Sequence, residues 1–241
     1  MQKAKSDLVS MFTTVNALLF CLMAMSLVGM NLLANKMIDT GLEFLPLDGG
    51  IMLSWLCFLT MDVLTHCYGP RTATVMSWIA MGVNLFMAAI FFVASKIPGV
   101  WGESFVEGSE QIINTALNNT FGGTWYIILG SSIAFAVSAL ANNFSNWSIG
   151  KIVGSKGFGT FALRSYVSTF VAQFVDNLTF GLLVSRLFFG WTLLQCVTCA
   201  ATGAVLELFF EIVFSPIGYR IAKSIGISEV VQSDTEKGAV A

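Results

Sequence analysis

The sequence carries little charge for its length. Only 11% of its 241 residues are Asp, Glu, Lys or Arg, and 56% are hydrophobic, whereas a soluble domain carries about 25% charged residues. So few charges cannot cover a surface that faces water. The net charge is -2, so the chain also lacks the basic patch that binding to nucleic acid requires. The composition therefore predicts an integral membrane protein with no nucleic-acid partner.

Residues that commonly carry catalysis or bind metals are also scarce. The chain has one histidine, and its five cysteines are odd in number and lie in apolar surroundings, which argues against a disulfide framework. Cys196 and Cys199 have the spacing of metal ligands, but no second Cys or His pair accompanies them, so we interpret them as packing residues. Nucleotide-binding, zinc-protease and serine-hydrolase signatures are missing from the sequence. We therefore expect no enzyme activity, no metal and no cofactor.

Long apolar runs dominate the rest of the chain. A helix needs about 20 mostly apolar residues to cross a bilayer, and the segments that qualify are 8–34, 50–68, 72–95, 124–149, 163–185 and 187–222. We therefore predict an all-α membrane protein whose residues 1–225 form six transmembrane helices, followed by a polar cytoplasmic tail at 226–241. In the loop 96–123, the spacing of apolar residues predicts a short amphipathic helix.

The basic residues predict the orientation in the membrane. If the N-terminus is cytoplasmic, most lysines and arginines fall on the cytoplasmic side, and the outer loops are acidic. Cytoplasmic loops of membrane proteins carry an excess of lysine and arginine. Both termini are therefore predicted to be cytoplasmic.

Two short segments echo each other in the second and fifth predicted helices. The sequence DVLT begins at Asp62, and the sequence DNLT begins at Asp176. Each aspartate lies about 12 residues into its helix, or about 18 Å along it, which is near the bilayer midplane. Because the second and fifth helices run in opposite directions, the echo predicts a 3+3 inverted repeat with a binding site at the midplane.

Polar side chains inside the predicted helices are the candidate binding residues. Such groups are costly at membrane depth, so they normally face the bundle interior and mark a functional site. The candidates are Asp62, Thr65, Asn142, Asn143, Asn146, Gln173, Asp176, Asn177, Glu207 and Glu211, with Trp55 as an aromatic face for a flat ligand. The alternative for the asparagines is hydrogen bonding that only holds the helices together. The alternative for Trp55 is a position in the interfacial aromatic belt.

Three titratable residues leave more than one interpretation open. Glu207 and Glu211 are four residues apart and share one helix face. Two ionised carboxylates this close would repel, so at least one is expected to hold a proton, which would either couple to transport or only make burial tolerable. His66 shares a face with Asp62 and is either a proton relay or a polar group near the membrane boundary.

Two stretches resemble the signatures of one family. TMDVLTHCYG, at 60–69, resembles the TDxLxExYG signature of the queuosine precursor transporter family, also called the vitamin uptake transporter family. RSYVSTFVAQFVDN, at 164–177, resembles its RxxxSTxxxQxxD signature. Asn31 and Asn35 lie in the first helix, where family members carry polar residues, and the resemblance adds them to the candidate binding residues. Where this chain has Glu207, many members have a lysine.

The resemblance implies a secondary carrier that imports 7-deazaguanine compounds, such as preQ0, preQ1 or queuine, through a bacterial cytoplasmic membrane. Its partners would be the lipid bilayer and a nucleobase-like substrate, and a homodimer is left open. The chemistry agrees, because a guanine-like edge presents two adjacent N–H donors and one carboxylate accepts both. The alternatives are the substrate-binding subunit of a multi-subunit importer with an ATP-hydrolysing partner, and an intramembrane enzyme or assembly protein.

Overall fold

The fold is a bundle of helices with one small hairpin. The computed structural model describes residues 15–101, 108, 110–122, 125–154 and 157–225, so residues 8–14 of the first predicted segment and the tail 226–241 lie outside it. The helices are α1 (Ala17–Leu33), α2 (Ile51–Lys96), α3 (Glu110–Gly122), α4 (Trp125–Val153), α5 (Phe158–Phe180), α6 (Arg186–Phe188) and α7 (Leu193–Ser224). Strands β1 (Met37–Ile38) and β2 (Leu47–Asp48) pair antiparallel between α1 and α2, and a π-helical turn (Gly181–Ser185) joins α5 to α6.

The exterior of the bundle is apolar, and its interior holds buried polar side chains beside a hydrophobic core. Large hydrophobic side chains such as Leu18, Phe86 and Val205 are exposed, whereas the carboxylates of Glu207 and Glu211 are fully buried. An apolar exterior with buried acidic groups suits a surface that faces lipid. Four helical stretches are long and apolar enough to cross a membrane, and α1 is a shorter apolar helix. The stretches are Ile51–Lys96, Glu110–Val153, Phe158–Phe188 and Leu193–Ser224. The second of these contains both α3 and α4. The chain is therefore an all-α, multi-pass membrane protein.

Helix α2 is too long for a single crossing and is interrupted at Gly69. Its 46 residues would extend about 69 Å at 1.5 Å per residue, whereas the hydrocarbon core of a bilayer is about 30 Å thick. Gly69 has φ 81° and ψ 165°, a conformation that glycine adopts without the steric cost of a Cβ atom. The interruption divides α2 into a first arm, 51–68, and a second arm, 70–96.

The second arm turns back toward the beginning of the first. Gly50 lies just before the first arm and packs so closely on the end of α1 that a Cβ atom there would be 2.9 Å from the Met30 carbonyl oxygen. Asn84 of the second arm lines a small cavity together with Asn31, near the same end of α1. The two arms are therefore antiparallel. Together with α1, α4, α5 and α7 they overlap the six predicted segments, and the number of crossings stays a prediction, since four helical stretches of the described residues are long and apolar enough.

The first arm of α2 lies at the centre of the bundle. Every residue from 57 to 67 is buried, so this helix has no face in contact with the exterior over three turns. It packs against α1, α4, α5 and α7, and α5 in turn packs against α4 and α7. Asp62, in the middle of this arm, is thereby held between helices from both halves of the chain.

Two predicted boundaries were wrong by about five residues. The fifth segment begins at Phe158 and not at 163, because the preceding connection ends at Gly157, which has φ 89°. The sixth begins at Leu193 and not at 187, because Thr192 caps α7 in a reciprocal capping box. The amphipathic helix predicted in the loop 96–123 is confirmed as α3.

Candidate functional site

The buried polar side chains form two clusters in the bundle. The first, which we call the Asp62 network, surrounds Asp62 and contains side chains of α2, α4, α5 and α7. The second, which we call the Asp176 cavity, lies nearer the β hairpin and is lined by Asp176 and Glu207 among others. Helix α5 links the two clusters, because its buried residues Ser165, Thr169, Gln173 and Asp176 follow one helix face.

The carboxylate of Asp62 is saturated with hydrogen bonds. Four side chains of α4 and α5 donate to it: Asn142 Nδ2 (2.8 Å) and Asn146 Nδ2 (3.1 Å) to Oδ1, and Ser165 Oγ (2.6 Å) and Thr169 Oγ1 (3.0 Å) to Oδ2. Ser168 Oγ also lies 3.1 Å from Oδ1, but its one hydrogen has two closer acceptors in the backbone of α5. The two oxygens of a carboxylate accept about four hydrogen bonds. Asp62 is fully buried, and these donors leave none of its lone pairs for a ligand.

Arg164 supplies the positive charge closest to this network. Its Nη2 donates to Asn146 Oδ1 at 2.8 Å, and its Nε donates to the Asn146 carbonyl oxygen at 3.2 Å. Because Asn146 also donates to Asp62, one amide bridges the guanidinium to the carboxylate. Gly150 makes room for this arrangement, since a Cβ atom there would be 2.6 Å from Arg164 Cζ. Arg164 Nη1 lies 3.4 Å from His66 Nδ1, which must accept, because a guanidinium only donates.

The remaining candidates of this region are less completely bonded. Asn143 donates to Thr74 at 2.9 Å, and its Oδ1 accepts from Thr65 at 3.1 Å. Glu211 Oε1 lies within hydrogen-bond distance of the Ser165 hydroxyl, and its Oε2 has no partner among the described residues. Gln173 is fully buried, and neither its Oε1 nor its Nε2 has a partner in the described part of the chain. Buried polar atoms of this kind are normally satisfied by a ligand, water or a change of conformation.

The Asp176 cavity brings three carboxyl groups and two amides together. Asp176 accepts one hydrogen bond, from Ser138 to Oδ1 at 2.7 Å, so within the described residues its Oδ2 stays open. Glu207 accepts from Asn177 at 3.3 Å. Asn31 accepts from Ser131 but its Nδ2 lacks a partner in the described ranges, although Asn31 is only 4% exposed. Ser54 also donates to Glu207 and lines the cavity.

A wider vestibule adjoins this cavity on the side of the β hairpin. Asp48 and Phe180 line both spaces, and Phe189 and Trp191 add aromatic rings to the vestibule. The vestibule encloses about 130 Å³, whereas the Asp176 cavity has about 30 Å³, room for about two water molecules. The cavity is therefore constricted, and a ring-sized ligand needs it to widen.

Asp48 is the acidic group at the junction of the two spaces. It lies in β2, outside the helices, and accepts from the Gly50 amide at 2.5 Å. Burial raises the pKa of the Asp48 carboxyl to about 6, and the Gly50 hydrogen bond opposes this shift only in part. Small changes near neutral pH therefore alter the charge at the junction.

The structure separates the candidates that the sequence analysis grouped together. Asn31, Asp176, Asn177 and Glu207 meet at the Asp176 cavity. Six other candidates lie in the Asp62 network or next to it: Asp62, Thr65, Asn142, Asn143, Asn146 and Glu211. Gln173 lies on α5 between the two clusters. Asn35 lines the vestibule and donates to the Leu32 carbonyl oxygen. Trp55 stacks on Phe214 of α7 with ring centroids 4.4 Å apart, away from both clusters.

Several polar residues of the two clusters escaped the sequence analysis, among them Asp48, Ser54, Ser131 and Ser138. The three serines are short hydroxyl residues that occur in many apolar helices, so the sequence does not single them out. The sequence around Asp48 does contain a signal that could have marked it as a candidate, because this acidic residue comes directly before two glycines and a long apolar run. The glycines are there because the chain approaches the backbone of α1: a Cβ atom at Gly49 would be 2.6 Å from the Leu33 carbonyl oxygen.

Comparison with known proteins gives one match. The model of a family described as "Putative vitamin uptake transporter" matches residues 48–221. No curated protein and no solved structure matches the chain. The matched range contains Asp48, the whole Asp62 network and all of the Asp176 cavity except the residues that α1 contributes.

Proposed function

The chain belongs to the vitamin uptake transporter family, and from this premise we propose that it is a secondary carrier that imports queuosine precursors. The proposed substrates are 7-deazaguanine compounds, and the proposed binding site is the Asp176 cavity. The observation that carries the proposal is that Asp176, with an open Oδ2, and Asn31, with an unpartnered Nδ2 in the described part of the chain, line the same cavity.

The donors and acceptors of the cavity complement a guanine-like edge. Such an edge presents a ring N–H and an amino group side by side, with a carbonyl oxygen next to the ring N–H. A carboxylate accepts both N–H groups, as it does from a guanidinium, and Asp176 is the carboxylate with an oxygen to spare. Asn31 Nδ2 is a donor for the carbonyl oxygen. Phe180, which lines the cavity, supplies an aromatic face.

The vestibule is the proposed route to this cavity. If both termini are cytoplasmic and α1 crosses once, the β hairpin and the loop that contains Trp191 lie on the outer side of the membrane. A flat ring would first lie among Phe189 and Trp191, then pass Asp48 and Phe180 into the cavity. Because the cavity is constricted, binding is coupled to a widening of the bundle, as alternating access requires.

The proposed topology has six crossings, with the two arms of α2 counted separately. It places Asp39 outside and Lys151 inside; both side chains are exposed. Membrane-impermeant thiol labelling of Asp39→Cys and Lys151→Cys in intact cells, on a background without the exposed Cys21, should modify only the first. Modification of Lys151→Cys alone would reverse the orientation and make the vestibule a cytoplasmic opening.

Uptake by the purified chain tests the proposed function. Liposomes that contain only this protein should accumulate or exchange a tritiated 7-deazaguanine, and Asp176→Asn should weaken this uptake. A matched control is Glu110→Gln, which removes an exposed carboxylate of α3. Binding without any uptake would favour the alternative, a substrate-binding subunit that needs an ATP-hydrolysing partner. Failure to bind 7-deazaguanines at all would refute the substrate class.

A further inference from the structure

The hydroxyl of Ser165 lies between two buried carboxyl groups. Its Oγ is 2.6 Å from Asp62 Oδ2 of α2, and it also contacts Glu211 Oε1 of α7. All three residues are fully buried. The contact therefore joins three helices through a single oxygen atom, in a place that solvent does not reach.

The contact at Ser165 has too few hydrogen atoms for two ionised carboxyl groups. A serine hydroxyl has one hydrogen, so it donates to only one of the two carboxyl groups. If Asp62 and Glu211 were both ionised, one of the two close oxygen–oxygen contacts would contain no hydrogen and would be repulsive. One of the two carboxyl groups must therefore be protonated and donate to Ser165 Oγ.

The pattern of donors indicates which carboxyl group holds the proton. Besides Ser165, Asp62 accepts from three other donors of α4 and α5, namely Asn142, Asn146 and Thr169, so its ionised form is well stabilised. Glu211 has Ser165 as its only hydrogen-bond partner in the described part of the chain, and its Oε2 is bare. An ionised Glu211 would thus be a buried carboxylate with one donor, which is costly in a membrane interior.

The charges around Glu211 lead to the same assignment. Arg164 of α5 carries a positive charge, but Asp62 already compensates this charge through the bridging amide of Asn146. From α2 comes His66, whose Nδ1 accepts from Arg164 and therefore carries no proton. Glu207, one turn away on α7, adds another carboxyl group and no compensation. Within the described residues, no lysine or arginine contacts Glu211 to balance a negative charge there.

We propose that Glu211 is the binding site of the coupling proton, and that the Ser165 hydroxyl links this proton to Asp62. In the resting arrangement Glu211 Oε1–H donates to Ser165 Oγ, and Ser165 O–H donates to Asp62 Oδ2. A concerted shift moves one proton from Glu211 to Asp62: the glutamic acid becomes a carboxylate, the aspartate becomes an acid, and the serine is unchanged. The coupling role rests on the proposed transport function, whereas the presence of the proton does not.

Loss of this proton from the pair supplies a force for conformational change. With both carboxyl groups ionised, α7 and α2 carry like charges on either side of one oxygen atom, and at low dielectric such repulsion is strong. The same α7 carries Glu207 one turn nearer the β hairpin, at the Asp176 cavity. Movement of α7 after deprotonation would therefore reach the substrate site directly.

Infrared spectroscopy tests the proton without any substrate. The wild-type protein in lipid nanodiscs should show the carbonyl stretch of a buried carboxylic acid, shifted by deuterium exchange, and Glu211→Gln should lose this band. Glu110→Gln, on the exposed face of α3, should keep it. Ser165→Ala is a second variant, which leaves Glu211 in place; in it the band should shift in frequency because the hydrogen-bond acceptor of Glu211 is removed. A band unchanged in both variants would overturn the proposal.

Transport by liposomes tests the coupling. With one proton per neutral substrate, an imposed gradient of one pH unit should drive up to about ten-fold accumulation of a tritiated 7-deazaguanine by the wild type. Glu211→Gln should keep substrate exchange but lose this accumulation. Gradient-driven accumulation that survives in Glu211→Gln would refute the coupling role. A wild type that neither exchanges nor accumulates the compound would refute the proposed substrate instead, and the infrared result would stand independently.

Discussion

Replacement of each midplane aspartate by asparagine should produce two different defects. Asp62 and Asp176 occupy matching places in the sequence echo, but only Asp176 retains an oxygen without a donor. Asparagine preserves the shape of aspartate while it removes the charge and turns one acceptor into a donor. We therefore expect Asp176→Asn to impair ligand binding, and Asp62→Asn to impair stability.

The magnitudes follow from the partners of each carboxylate. At Asp176, the change removes a charge-assisted hydrogen bond to the ligand, worth about 1.5–3 kcal/mol, which corresponds to roughly 10- to 150-fold weaker binding. Only Ser138 is affected in the protein itself. At Asp62, the new amide group faces several donors and leaves Arg164 without its compensating charge. Breaking a buried charge pair costs about 3–5 kcal/mol of stability.

Calorimetric titration and thermal unfolding, both in detergent, separate the two effects. Asp176→Asn should bind a 7-deazaguanine that has the 2-amino group more weakly, bind an analogue without that group almost normally, and unfold near the wild-type temperature. Asp62→Asn should unfold at a lower temperature. The reasoning would be refuted if Asp176→Asn lost affinity equally for both ligands, or if Asp62→Asn proved as stable as the wild type.

Two further predictions concern residues at the edge of the cavity. Gly203→Ala places a Cβ atom 2.6 Å from Asn177 Nδ2, so it should weaken ligand binding in titrations. The control is Gly82→Ala, because the space around Gly82 is open. This variant should leave binding intact and stabilise α2 by up to about 1 kcal/mol. Equal affinity in the two variants would show that the position of Asn177 is irrelevant. Asp48 has a pKa raised to about 6, so its contribution to stability is present below about pH 4 and is lost as the pH rises through about 6. Unfolding temperatures measured from pH 4 to 7 should therefore fall less in Asp48→Asn than in the wild type, and identical pH profiles would contradict this.

The sequence by itself determined the class of the fold and most of the polar residues that the bundle buries. Scarce charge and long apolar runs predict a membrane bundle, because a helix that faces lipid must be apolar over its whole length. Most of the polar residues that interrupt these runs do lie in the interior, since a buried polar group needs partners that lipid does not offer. The resemblance carried by 60–69 and 164–177 agrees with the family match over 48–221. The inverted repeat and the orientation stay predictions.

Only the tertiary structure decided how these residues divide between roles. The sequence treats Asp62 and Asp176 alike, but neighbouring helices fill the lone pairs of the first and leave one oxygen of the second open. Equally, nothing in the chain near Asp48 or Ser165 shows that one lies between two cavities and the other between two carboxyl groups. The physical reason is that the state of a buried polar group depends on the donors and charges within hydrogen-bond distance, and helices distant in sequence supply them.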